Sequence, residues 1–518
     1  MTKWPSRVWI FTFEYEGFVK AGGLGAAVAR HAMALVSSGV EVTVLIPSHG
    51  RFLSNVVSEG AWSGFRTGVD GNKYPYRIAA ESFNLNGVKI VVFKGLDHNT
   101  GRFLDEWEPY REAPEKTALY TRGAIHWARE QPSPPDVIHS NDWTAALAAA
   151  AVKTELSQRG HHVPWVHTIH LVSSPSFPWH YASENWCGIP SVSHKIFSHN
   201  GFYWTWTSDA WDSVGGNVDA FAALESDMLT AVSKGYLEGL LSRWPFIPRE
   251  KTGYIHNSTD WTEEEVRNHV VETYGTSSRK YLRKILLKEV VEHAEKLSGS
   301  LEKAELLAVA HGRLVWQKGY DVLINSIDRM ESSVGVLILG LSSGDFGHEE
   351  HLRRLAEQRS GRVLITWGFL PAPLLKAIIY SANVAVMPSR YEPFGISSVE
   401  AQALGTPVVA TGVPGLSETI KDIYFFDDGG GMLVGYEEVE YLGKAVSSLA
   451  FLTEAADTQD DSLRDKISLE FVLRRFNVLK SIRANAVRWV DENFRGKNTL
   501  QQLLACYEKA RRITFKRV

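Results

Sequence analysis

Short apolar runs alternate with amphipathic stretches along nearly the whole chain, and that alternation admits few folds. RVWIFTF is followed by AVARHAMALVSSG and VEVTVLIP, and further on come DVIHSN, TAALAAAAVKTEL and VPWVHTIH. Runs of this length spaced by helix-period segments point to β-α-β units feeding a parallel sheet. The rhythm starts again in the second half with AELLAVAHGRL, YDVLINSIDRM, GVLILG, HLRRLAEQ, RVLITWG, LLKAIIYSA, VAVMPS, VEAQALG and TPVVAT. A chain of 518 residues is also too long for one hydrophobic core. The expected fold class is therefore α/β, with two doubly wound, Rossmann-like domains facing across a cleft. Their bounds fall at 1–252 and 253–475, with helices over 476–518 packing back across the junction.

Between the halves runs TEEEVRNHVVETYGTSSRKYLRKILLKEVVEHAEKLSGSLEKAE, a charged stretch that reads as one or two solvated helices near the hinge. Overall charge is nearly balanced, 55 basic against 59 acidic residues, with no block of like charge to hold nucleic acid or an anionic membrane. Any phosphate must be met locally. Cys187 and Cys506 are too few for a disulfide framework or a zinc site. The apolar opening is broken by Glu14, and no apolar run approaches the ~18 residues needed to cross a bilayer. The expectation is a soluble, cytoplasmic protein without nucleic-acid or membrane partners.

In open α/β sheets ligands sit beyond the carboxyl ends of the strands, so the loops after each strand carry the chemistry. After the first strand come Glu14 and the glycine-rich Lys20-Ala-Gly22-Gly23-Leu-Gly, where absent Cβ atoms allow backbone close to a ligand and Lys20 adds charge. The spacing is neither a Walker motif nor a dinucleotide fingerprint, and a tight turn that only packs helix on strand fits it equally well. DVIH leads to Asn141 and Asp142, and WVHTI ends at His170, a candidate hydrogen-bond donor to a sugar hydroxyl as well as an ordinary structural histidine.

In the second half, Arg313 and Lys318 stand five residues apart just past a strand, one able to fork onto phosphate and the other to act as a point charge. PSRYEPFGISSVE holds Glu392 and Glu400 on either side of Gly395-Ile396-Ser397-Ser398, which reads as a helix start whose unpaired N–H groups suit an anion. Glu400 would lie one turn inside that helix while Glu392 stays on the loop. Two solvated glutamates at a plain crossover also fit. No Asp-x-Asp triplet is present to clamp a diphosphate through a divalent ion. A diphosphate would then be met by Arg313, Lys318 and the helix start, with no metal and no other cofactor. Nine aromatic residues crowd between Trp179 and Trp211, as a sugar platform or as a satellite hydrophobic cluster or oligomer contact.

Taken in order, these motifs resemble the glycogen and starch synthase family of retaining GT-B glycosyltransferases, in archaeal-looking form. Glu14 with Lys20-Ala-Gly-Gly-Leu, His139-Ser-Asn-Asp-Trp143, Thr168-Ile-His170, Thr230-Ala-Val-Ser233, Asn257, Gly312-Arg-Leu-Val-Trp-Gln-Lys-Gly319 and PSRYEPFGISSVEAQALGTPVV each fall on a family motif. The resemblance implies transfer of glucose from ADP-glucose or UDP-glucose to the 4-hydroxyl at a non-reducing α-1,4-glucan end, with retained configuration. It implies that Arg313 and Lys318 neutralise the diphosphate, that Glu392 binds glucose hydroxyls, and that His170 lies near the reacting carbon. N–H groups near Gly23 and at Ser397 and Ser398 would face phosphate, Glu400 would take the ribose, and Phe369 would pack on the base. Ala26 and Leu171 depart from the family's Asp and Asn at those positions. The same residues also fit a retaining GT-B glucosyltransferase acting on a small sugar, such as a trehalose-forming enzyme, or a non-catalytic glucan-binding protein.

Overall fold

The opening apolar run becomes strand β1 (Arg7–Phe11) in the computed structural model, which describes residues 4–517. Its side chains alternate between two cores: Trp9 and Phe11 enter one, Val8 and Ile10 the other. A strand covered on both faces needs an unbroken apolar run instead of an alternating one, which is why RVWIFTF has so little polarity.

The chain divides into two units, one running to Asn257 and resumed from Gly496, the other spanning Ser258–Arg495. In the first, β1 is followed by β2 (Glu41–Pro47), β3 (Val57–Thr67), β4 (Lys73–Leu85), β5 (Val88–Gly95), β6 (Val137–Asn141), β7 (Trp165–Ile169), β8 (Ser193–Ser198), β9 (Gly201–Trp206), β10 (Met228–Ala231) and β11 (Thr252–Tyr254). Nine of these form one sheet in the order β11-β10-β7-β6-β1-β2-β5-β4-β3, while β8 and β9 make a separate hairpin. Pairing is parallel from β11 through β5 and antiparallel for β4 and β3. Strand order reverses direction between β1 and β6, the switch point where an open sheet leaves a crevice.

The second unit has β12 (Lys296–Ser300), β13 (Leu306–Arg313), β14 (Val334–Leu341), β15 (Val363–Trp367), β16 (Val384–Met387), β17 (Val408–Thr411) and β18 (Gly431–Val434), in the order β12-β15-β14-β13-β16-β17-β18. All pairs are parallel except β12 with β15. Its switch point lies between β13 and β16. On β13, Leu306, Ala308 and Ala310 enter one core, and Leu307 and Val309 the other.

Two expectations need correction. The charged stretch forms helices Glu263–Tyr274 and Arg279–His293, but these are not merely solvated: Val266, Val270, Leu282, Leu286 and Val290 recur at helical spacing and are buried in the second unit's core. The tail does not act as one element either. Residues up to Arg495 stay with the second unit, whereas helix Gly496–Arg517 belongs to the first, burying Leu503, Cys506, Tyr507 and Ala510 against the core that contains Val28 and Ala32 of helix Gly23–Ser37. No described helix is long and apolar enough to cross a membrane.

Candidate active site

At the second unit's switch point, β13 delivers Arg313 and a one-turn helix, Trp316–Lys318, while β16 runs into the loop that carries Glu392. Lys318 Nζ donates to Glu392 Oε2 at 2.6 Å, and the Ser389 hydroxyl donates to the same oxygen at 3.4 Å. Backbone geometry sets this meeting. Gly319 has φ +64°, and a Cβ there would lie 2.1 Å from the Pro388 carbonyl oxygen, so only glycine lets the two loops touch. Arg390 locks the same seam: its guanidinium donates to both carboxylate oxygens of Asp321 at 2.9 and 2.7 Å and lies 4.6 Å from the Trp316 ring centre. Its N–H donates to the Gln317 carbonyl.

Arg313 is exposed, and its side chain has no ion pair among the described residues. Beneath it lies Tyr320, whose phenol is pushed up by burial and then by Glu392, with Arg313 pulling the other way. Arg313, Lys318 and Glu392 thus gather on one rim of the sheet.

Helix Ile396–Ala403 starts at Gly395, whose φ is +99°. Its first amides, Ile396 and Ser397, precede any intrahelical acceptor and have no hydrogen-bond partner among the described residues. Ser398 differs from the expectation. Its N–H donates to the Gly395 carbonyl, and its fully buried hydroxyl accepts from Gln402 and Thr419, so it fastens the helix inward. Glu400 stands one turn in, its Oε2 3.8 Å from His311 Nε2. His311 is buried, and neither ring nitrogen has a hydrogen-bond partner among the described residues. Sequence reasoning passed over it although it lies two residues before Arg313. Phe369 is 74% exposed, just after β15.

On the first unit's rim the glycine loop is shaped by Glu14, which is buried and accepts from the Ala21 and Gly22 amides at 2.7 and 2.8 Å and from the Tyr110 hydroxyl. The Gly22 amide is therefore already engaged, and Gly23 opens helix Gly23–Ser37. Tyr110, 96 positions away in sequence, carried no local signal. Lys20 pairs with Glu16 at the surface.

Asp142 follows β6 with φ +58°, a strained position for a residue with a Cβ, and its Oδ1 accepts from the amides of His170 at 2.7 Å and Leu171 at 3.3 Å. Burial, then the nearby Asp219, push its carboxyl up. His170 Nε2 donates to Asn141 Oδ1 at 3.0 Å, which leaves Nδ1 as an acceptor for a hydroxyl. Burial, followed by His31 and His167, holds His170 down at about 3. It is a neutral hydrogen-bonding group. Asn257 is buried, with its side-chain oxygen unpartnered among the described residues. Among those residues no group of three or more His, Cys, Asp or Glu side chains is placed to hold a metal ion.

The starch synthase catalytic domain family matches residues 7–245, and the glycosyl transferases group 1 family matches 293–453. The glycogen synthase of Desulfitobacterium hafniense is 25% identical over 423 residues, 79% of this chain and 83% of that protein. The chain belongs to the glycogen and starch synthase family of GT-B glycosyltransferases. It is an enzyme of glycosyl transfer. A second family member, the glycogen synthase of Alkaliphilus metalliredigens, is 24% identical and aligns over 93% of this chain and 97% of its own length. The GT-B fold is shared with the catalytic domain of starch synthase IV from Arabidopsis thaliana bound to ADP and acarbose, with TM-score 0.70, 17% identity, and coverage of 97% of this chain and 99% of that one. It is shared also with a sucrose-phosphate synthase from Thermosynechococcus elongatus, with TM-score 0.59, 16% identity, and coverage of 97% and 98%.

Proposed function

We propose that the protein extends an α-1,4-glucan, transferring glucose from ADP-glucose or UDP-glucose to the non-reducing 4-hydroxyl with retention of configuration and without a metal ion. The observation that carries this reading is the meeting of Lys318 and Glu392 beside Arg313 and the free amides of Ile396 and Ser397, at the switch point of one sheet. Two cations and a helix start can take a diphosphate, and a carboxylate next to them can take sugar hydroxyls. Glu400, with His311 behind it, is assigned to the ribose, and exposed Phe369 to the base.

To the first unit's rim we assign the sugar: neutral His170 near the reacting carbon, held by Asn141 and Asp142, with the loop at Lys20–Gly23 near phosphate. The bond from glucose C1 to the diphosphate oxygen breaks, and the acceptor O4 bonds to C1 on the same face. The acceptor's proton passes to a diphosphate oxygen, so no protein nucleophile is needed. Charge on the leaving group is met by preorganised donors, the usual dominant contribution in such a step.

The test offers radiolabelled ADP-glucose and UDP-glucose separately with glycogen, maltose and free glucose, followed by linkage analysis. Label in α-1,4-linked glucan supports the reading; label only in a disaccharide of free glucose rejects it. EDTA is expected to leave turnover within about two-fold, because ion contacts to the diphosphate come from Arg313 and Lys318. Loss of activity restored by Mg²⁺ would contradict that assignment.

A further inference from the structure

The first unit holds a second enclosure, at the end of its sheet opposite Glu14, Asp142 and His170. A cavity of about 390 Å³ opens beside Trp165, where β7 starts, and Asp227, just before β10. It therefore lies against the amino ends of the strands, and its volume is that of a small-molecule site. Four elements wall it: helix Trp143–Gln158, helix Val218–Glu225, the β8–β9 hairpin, and the last turn of helix Gly496–Arg517.

Charge inside it is uneven. The buried Asp227 carboxylate accepts from Lys153 Nζ at 2.8 Å, from Arg517 Nη1 at 2.6 Å and from the Trp165 amide at 2.9 Å. Glu225 meets His194 Nε2 at 2.9 Å. Those pairs use both carboxylates. Lys195 lines the same cavity with no ion pair among the described residues, its ammonium 5.6 Å from the centre of the Trp204 ring. Behind the wall, buried Lys251 donates only to the carbonyls of Leu224 and Ser226. Four basic side chains, Lys153, His194, Lys195 and Arg517, thus line the cavity around two carboxylates, with Lys251 behind them. Burial first, and Arg517 second, pull Lys153 down to about 8 and Lys251 to about 7.

A purely structural ion cluster would not need the rest of the lining. Trp204 is 65% exposed at the mouth, while Val163 and Phe221 are buried and furnish apolar wall. An indole face beside an unpaired ammonium is complementary to a ligand with a flat body and a negative end.

We propose that this cavity binds a small organic anion, a phosphate or carboxylate carried on a ring, with the charge on Lys195 and the Lys153–Arg517 side and the ring against Trp204. Such a ligand would bridge the hairpin to the terminal helix, away from the reacting groups. The test titrates the full-length protein with phenyl phosphate, benzoate and benzyl alcohol by saturation-transfer NMR, in the wild type and in Lys318→Ala, which weakens phosphate binding at the donor site. Phenyl phosphate or benzoate should saturate in both proteins, with benzyl alcohol at least ten-fold weaker. Lys195→Glu, at a half-buried hairpin position, and Trp204→Ala, at an exposed one, should each weaken the better anion at least ten-fold without moving the thermal midpoint. Equal binding of all three probes, no saturable binding, or anion affinity unmoved by both substitutions would overturn the proposal.

Discussion

Lys318 and Glu392 present opposite charges 2.6 Å apart, each less than a fifth exposed, on a rim otherwise supplied with donors. An ion pair of this kind adds little to stability when both partners remain, but removing one leaves the other poorly solvated and misdirected. Lys318→Ala is therefore expected to lower kcat about 100- to 1,000-fold, the range for loss of one preorganised charge donor, with a far smaller change in the thermal midpoint. A variant within three-fold of wild type would remove Lys318 from the chemistry. His170 makes a second test. Because it stays neutral down to about 3, it contributes no inflection to kcat between pH 5 and 8. A histidine-like limb in that range that disappears in His170→Ala would refute its assigned neutral role.

The loops around these residues depend on backbone positions where a side chain does not fit. Gly319→Ala places a Cβ at φ +64° and against the Pro388 carbonyl, so Pro388 or the Trp316–Lys318 turn must shift. Left-handed backbone alone costs about 1–2 kcal/mol for a residue with a Cβ. The variant should lose at least that much in urea unfolding of the second unit, and lose turnover because Lys318 and Glu392 no longer meet. Unchanged unfolding would show that the loop relaxes freely. Strands, their order of appearance and the helix after Gly395 were legible because apolar periodicity and strand-end placement are local properties. The inward turn of Ser398 was not. It depends on Thr419, 21 residues on, which reaches back to the helix. Glu14 likewise reads as a ligand contact until Tyr110 and the Ala21 and Gly22 amides are seen to occupy it.

Chain connectivity hid the largest feature. The tail's helical pattern was plain, but the unit it joins is decided by which apolar face fits Val28, Ala32 and Tyr507's neighbours, a long-range matter that periodicity does not encode. The first unit's core also encloses imidazoles that the sequence offered only as a count of 18 histidines. Burial holds His31 at about 4 and His167 and His170 at about 3, and sets His49 and His139 well below their ordinary value. Unfolding frees each to take a proton near 6.5, so below that pH the unfolded state binds more protons and folding weakens. The contribution is whole above about pH 6.5 and is lost as pH falls toward 4, at about 1.4 kcal/mol per histidine per pH unit. Asp142 and Asp219 oppose this, because carboxyls raised by burial, Asp219 to about 6, gain stability as they protonate. His126, lowered by burial, joins the five histidines, while Asp105, raised by burial, and His194, where burial lowers but Glu225 overcomes it, join the two carboxyls; six groups against four leave a net loss on acidification. The thermal midpoint of the first unit should accordingly fall between pH 7 and 5.5, and fall less in His31→Leu, where one proton acceptor of the unfolded chain is gone. A flat or rising midpoint over that range, or an identical slope in the variant, would show that the buried imidazoles do not govern its acid sensitivity.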